Sequence, residues 1–169
     1  RRAVFEAFFR KMPFQNSYAV FAGLDHIIRY IKSLHFTASD IEYLRSTGQF
    51  ADDFLDYLKD FKFTGSIRSF EEGDLVFNHE PILQVDAPMI EAQLVETALL
   101  NIINYQIMVA TKASRIKSIV GDQPVMEFGT RRAQEFDAAL WGTRAAYIGG
   151  FDATSNVRAG KLFGIPISG

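Results

Sequence analysis

The chain has 169 residues, 48% of them hydrophobic and 14% aromatic, enough for one ordinary domain with a real core. Its formal net charge of −2 argues against a nucleic-acid binder, which usually carries a basic surplus or stripe. With no cysteine, disulfides and thiolate metal sites are excluded, and the 3 histidines fall in no ligand-like spacing.

The opening stretch AVFEAFFRK reads as the middle of a helix and not as the apolar part of a leader. Residues 16–24 (NSYAVFAGL) are apolar, β-branched and aromatic enough for a strand, interrupted at Gly23. A helix follows, with Leu24, Ile27, Ile28, Ile31 and Leu34 on helical spacing. A second begins with Ser39 as its N-cap and with Asp40 and Glu42 in the first turn, where the helix dipole favours acids. A third covers roughly residues 51–61, with Phe54, Leu55, Leu58 and Phe61 as its apolar face.

The texture changes at Thr64 and Gly65. SIRSF, DLVF and PILQVDAP are short runs punctuated by EEGD and NHEP, the rhythm of small strands with tight turns. Pro81 and Pro88 mark strand starts or ends, since they cannot donate to a ladder. Residues 1–88 therefore read as a strand-containing α+β module. A long helix then runs from Met89 to about Val120, apolar around most of its circumference and so buried. Its Glu91, Gln93, Glu96, Asn101 and Asn104 count against a membrane span, so a soluble cytoplasmic protein is expected.

Beyond Gly121 the chain alternates. PVMEF is strand-like, RRAQEFDAALWGTRAAYI helix-like and GGF a brief extended link or strand. SNVRAGKLFG is a short helix and IPIS a strand. This is β-α-β-α-β, for which a parallel sheet or barrel is the economical topology, so residues 89–169 form the second unit of an α/β chain. The closing GIPISG has nothing after it to pack on, and the chain is expected to be a piece of something longer.

Parallel sheets and barrels bind ligands at the carboxyl ends of their strands. On this reading one rim collects Gly129, Thr130, Arg131 and Arg132 after the first strand, Asp152, Ala153, Thr154, Ser155 and Asn156 after the second, and Gly169 after the third. A guanidinium fork fits a carboxylate or phosphate, and a helix starting after Arg131 adds backbone donors to an anion. Phe128 can stack on an aromatic ring. Together these suit an anionic, planar, phosphate-bearing ligand. The same residues have plainer uses. Arg131 and Arg132 can be a solvated helix start, and residues about 100° apart on a helix cannot face one ligand equally. Asp152 can cap the next helix, although Ser155 and Asn156 are better placed. Glu127 can pair with a neighbouring cation.

The run EFGTRRAQEFDAALWGTRAAYIGGFDATSNVRAGKLFGIPISG resembles nicotinate phosphoribosyltransferase. Its E-[FL]-G-x-R-R and G-G-F-D-x-[ST]-S-N elements are distinctive in that order. The likeness extends back through EPILQVDAPMIEAQLVETALLNIINYQIMVATKASRI and FAGLDHIIRYI, and so covers the whole chain. The resemblance implies an α/β sandwich-type domain joined to an irregular α/β barrel of the type II phosphoribosyltransferase kind, here incomplete, with 1–88 and 89–169 divided between them. It implies joining of nicotinate to phosphoribosyl pyrophosphate in NAD biosynthesis, with Mg2+, with ATP hydrolysis through a phosphorylated histidine, and with an active site at a homodimer interface. It implies that Phe128, Gly129, Arg131, Arg132, Asp152, Ser155 and Asn156 bind substrate. The phosphorylated histidine falls after Gly169 in a T-x-A-H-S segment, and a tyrosine segment precedes Arg1. No catalytic residue and no metal ligand is therefore expected within the chain, and His26, His35 and His79 do not match the histidine. Competing readings are a nicotinamide or quinolinate phosphoribosyltransferase, a hydrolase using Glu127 and Asp152 as a carboxylate pair, and an inactive truncated module.

Overall fold

The computed structural model describes residues 1–169. In chain order its elements are β1 (Arg2–Ala7), β2 (Ala19–Val20), α1 (Leu24–Ser33), α2 (Ala38–Ser46), α3 (Asp52–Lys59), β3 (Ser66–Ser69), β4 (Leu75–Val76), β5 (Leu83–Pro88), α4 (Met89–Val120), β6 (Met126–Glu127), α5 (Glu135–Ile148), β7 (Ala153–Thr154) and α6 (Val157–Phe163).

The first sheet has the order β1-β5-β3 and is antiparallel throughout. In β5 the pleat turns Leu83, Val85 and Ala87 into the core. The opening residues are strand, which corrects the helical reading. Ala3, Phe5 and Ala7 are half-buried and alternate with exposed Arg2, Val4 and Glu6. An edge strand with one shielded face carries charges among its apolar residues, and a short mixed run of that kind reads ambiguously. β2 is shorter than the 16–24 run, although Phe21 continues its pairing with the β4 side through Phe21 N→Asp74 O (2.9 Å) and Gly73 N→Phe21 O (2.9 Å).

α1 matches its apolar spacing. The cap of α2 is Thr37, not Ser39. The Thr37 hydroxyl accepts from Asp40 N (3.2 Å), while the Asp40 carboxylate accepts from Thr37 N (2.7 Å). This reciprocal box satisfies two amides where a lone serine would satisfy one.

α4 has the predicted limits. It starts behind Pro88 and stops at Gly121, whose φ of 62° lies in the left-handed half of backbone space. By length and composition it could cross a membrane, but it is the core helix of this fold. Its buried Glu91 accepts from Thr64 N (2.6 Å) and Oγ1 (2.9 Å), and its buried Thr111 accepts from Val20 N (3.0 Å). The main core cluster draws on both sides of Pro88. Phe21, Ile27, Val76 and Val85 meet Val95, Leu99, Ile103 and Ile107 of α4. Each such side chain, fully buried, contributes about 1.5–3 kcal/mol.

α5 lies on the other flank of α4, and small residues allow the approach. A Cβ on Gly149 would overlap the Ala110 carbonyl oxygen, and one on Gly142 would meet the Tyr105 hydroxyl. Beyond α4, β6 and β7 pair in parallel, with Met126 opposite Ala153 and Glu127 opposite Thr154. Ile167 adds a parallel bridge to Thr154. Three extended segments thus lie side by side in chain order, separated by α5 and α6. The middle one is Ala153–Thr154, not GGF. Gly149 and Gly150 instead close α5, with amides bonded to Ala145 O and Tyr147 O at 3.0 Å.

Candidate functional site

Glu127 ends β6 and Thr154 ends β7, so the residues that follow each share the carboxyl edge of the parallel pair. They enclose an open cleft of about 570 Å³ lined by Phe128, Thr130, Arg131, Ser155, Asn156 and Val157. Phe128 is 53% exposed, which leaves its ring free for stacking. Arg131 is exposed, and its guanidinium pairs with no carboxylate of the chain. Asn156 caps α6 through Oδ1, which accepts from Ala159 N (3.1 Å), and so only its amide nitrogen is uncommitted. Gly129 lies between two lining residues. Arg132 is exposed and does not line the cleft, in keeping with adjacent side chains diverging.

The two loops are tied together beneath the cleft. The Glu127 carboxylate accepts from Gly129 N in the first loop. Its Oε2 lies 2.8 Å from the Thr143 hydroxyl of α5 and 2.8 Å from the Thr154 hydroxyl of β7. Thr154 Oγ1 in turn accepts from Asn156 N (3.0 Å), and Ser155 N donates to Glu127 O (3.1 Å).

Asp152 is not in this cleft, which corrects its placement. Because β7 begins at Ala153, Asp152 precedes the strand and lies at the amino edge of the pair. Its backbone N donates to Val125 O (2.8 Å), and its carboxylate accepts from Val125 N (2.7 Å) and Lys117 Nζ (2.8 Å). The Lys117 ammonium and the Val125 amide hold its carboxyl below the usual aspartate range. The side chain clasps the end of α4 to the strand pair. Both carboxylates of the hydrolase reading are committed to internal partners, Glu127 to Gly129 N, Thr143 and Thr154, and Asp152 to Lys117 and Val125. A second correction concerns the helix expected directly after Arg131. Thr130–Arg132 form a single 3-10 turn, Ala133 is extended, and α5 starts only at Glu135. Glu135 and Asp137 already occupy its first turn.

A polar cluster with no signature of its own in the sequence joins α5 to α1. The Arg144 fork donates to both oxygens of Glu72, at 2.8 and 2.6 Å, and Glu72 also accepts from Gly23 N (2.7 Å) and Leu24 N (3.0 Å). Burial pushes the Glu72 carboxyl up, but the Arg144 fork and the two amides outweigh it and hold it below the ordinary range. Beside it His26 stacks on Trp141, with ring centroids 3.9 Å apart and planes 8° from parallel, and Gln106 Nε2 lies 3.1 Å from His26 Nδ1. Burial lowers the His26 pKa, against the opposing pull of Asp137 and Asp25. Val157, which lines the cleft, is missed by sequence reasoning, since small apolar types are common in any loop.

The comparisons with known proteins give this geometry its family. The model of the nicotinate phosphoribosyltransferase (NAPRTase) N-terminal domain matches residues 1–104. The chain is 60% identical over 169 residues to nicotinate phosphoribosyltransferase of Bacillus subtilis, covering 100% of this chain and 34% of that one. It superposes on the crystal structure of human nicotinic acid phosphoribosyltransferase with a TM-score of 0.93 at 37% identity, over 99% of this chain and 34% of that one. With nicotinate-nucleotide pyrophosphorylase from Pyrococcus furiosus the TM-score is 0.76 at 23% identity, over 99% of this chain and 36% of that one, a likeness of fold alone. The fold is mixed α/β, like that of the type II phosphoribosyltransferases. The chain belongs to the nicotinate phosphoribosyltransferase family, and it spans about a third of the length of the curated relatives it matches.

Proposed function

We propose that the protein containing these residues joins nicotinate to the ribosyl carbon of phosphoribosyl pyrophosphate, releasing pyrophosphate and forming nicotinate mononucleotide for NAD biosynthesis in the cytoplasm. The observation that carries this reading is the meeting, in one cleft of a chain of this family, of an exposed phenyl ring and a guanidinium free of internal partners. Phe128 stacks on the pyridine ring. Arg131 takes an anionic group of substrate or product, and Gly129, Ser155 and Asn156 supply backbone and polar contacts around it. Arg132 adds positive potential at the rim. Departure of pyrophosphate leaves positive charge on the ribosyl carbon, so catalysis consists largely of holding the ring nitrogen in line with that carbon. Residues 89–169 open an irregular barrel in this reading. Residues 1–88 belong to the domain beside it, and the active protein is a homodimer.

Mg2+ and ATP are part of the proposal for the intact enzyme. No three His, Asp or Glu side chains of this chain converge to hold a metal ion, and the roles assigned to its residues involve neither group. His26, His35 and His79 lie outside the cleft and receive no catalytic role.

Arg131 favours nicotinate over nicotinamide, since a guanidinium pairs bidentately with a carboxylate and not with a neutral amide. The test is turnover by the full-length protein with phosphoribosyl pyrophosphate, ATP and each of nicotinate, nicotinamide and quinolinate, with products identified by mass. Nicotinate mononucleotide formed fastest from nicotinate supports the reading. A preference for either other base, or no mononucleotide from nicotinate, overturns it.

A further inference from the structure

Glu127 is half-buried under the cleft and is not among the residues that line it. Its partners, however, belong to both loops that do. A continuous path runs from Gly129 N to the Glu127 carboxylate, on to the Thr154 hydroxyl, and from there to Asn156 N. The first end holds the loop carrying Phe128 and Arg131, and the other holds Ser155 and Asn156. A third arm reaches Thr143 on α5. Gly129 fits this arrangement, because a Cβ there would stand 2.9 Å from Glu127 Oε1 and push the carboxylate off the amide.

We propose that Glu127 is a positioning residue for the nicotinate cleft, its carboxylate fixing Phe128 and Arg131 relative to Ser155 and Asn156. The inference rests on the assignment of this cleft to nicotinate. The chemistry separates the effects of substitutions. Each threonine hydroxyl has a single proton and a second acceptor in reach. Thr143 can turn to Ala139 O (2.9 Å), and Thr154 to Glu127 O (3.2 Å). In Glu127→Gln one oxygen still accepts from Gly129 N, and the amide nitrogen donates to the redirected hydroxyls. Glu127→Ala leaves the Gly129 amide without its acceptor and cuts the path. Thr154→Val removes the hydroxyl in its middle at nearly constant volume.

The experiment measures nicotinate KM and kcat in the full-length enzyme carrying E127A, E127Q, T154V and E127A/T154V, with melting temperatures alongside. Loss of a hydrogen bond to a charged group predicts a rise in nicotinate KM on the order of 10- to 100-fold for E127A. E127Q returns it to within about threefold of wild type. T154V raises it as well, and the double variant is no worse than E127A, because both cut one path. A folded E127A with nicotinate KM within about twofold of wild type contradicts the inference, even where its melting temperature falls. Should E127A fail to fold, T154V decides, and an unchanged KM there contradicts it equally. A wild-type enzyme that does not use nicotinate overturns the underlying assignment of the cleft instead.

Discussion

Arg144 and Glu72 show how one residue pair can set the acid stability of the fold. Both side chains are about five-sixths shielded, with 17% and 16% of their surface exposed, and the carboxylate accepts four hydrogen bonds. Removing Glu72 strands the guanidinium. Glu72→Ala is expected to cost about 3 kcal/mol, toward the low end for a buried pair because some solvent reaches it, as read by urea unfolding. Because the folded carboxyl is held below its ordinary value of about 4.3, its contribution is complete above that pH. It is lost as pH falls through the lower folded value, and Glu72→Gln should flatten that part of the stability profile. His26 acts in a higher window. Its folded pKa lies below 6.5, so the unfolded chain takes up the proton first as pH falls below about 6.5. Stability should drop from there down to the folded value and then level. His26→Gln should remove this segment of the profile, and an unchanged slope would show that His26 is not its source. At this scale the sequence exposes Arg131 through its unusual Arg-Arg setting after a glycine. It does not expose Asp152's real partners, which depend on a strand starting later than it reads.

At the level of elements, the contact between α4 and α5 depends on missing side chains. Gly149 follows α5 where Ala110 and Ala113 of α4 come closest, and its φ of −73° is one that any residue adopts. Gly149→Ala therefore tests packing alone. It is expected to destabilise by about 1–3 kcal/mol, the usual cost of forcing a methyl into a filled contact, measured by chemical denaturation. A neutral effect would mean that α5 can shift outward freely. α4 itself is legible from end to end, because Pro88 and Gly121 bound it and its apolar residues encircle it. β1 is not, because a six-residue edge strand rich in charge and aromatics has no period strong enough to outvote a helix. β7 reads too early because Gly149-Gly150-Phe151 passes for a short strand in sequence, whereas Gly150, at a φ of 102°, makes the turn that ends α5 and Gly149 lies against α4.

Taken whole, the molecule brings the carboxyl ends of β6 and β7 together and leaves the clasp formed by Lys117, Val125 and Asp152 at their other edge. This separation makes a prediction opposite to the sequence reading. Asp152→Asn should leave nicotinate affinity of the full-length protein within about twofold of wild type while lowering its melting temperature. A large loss of affinity would return Asp152 to the site. The α/β class and the parallel order of the last three segments are readable from alternation and short connections. The register that decides which side chain reaches which edge is not, because strands of two residues carry no pattern of their own.

The central claim is that Arg131 holds a negatively charged pyridine in the cleft beside Phe128. Calorimetric titration of nicotinate into full-length wild-type and Arg131→Ala protein tests it most directly. The wild type should bind nicotinate in preference to nicotinamide, and the variant should lose about 2–5 kcal/mol of that binding. Equal affinity of the two proteins for nicotinate would contradict it.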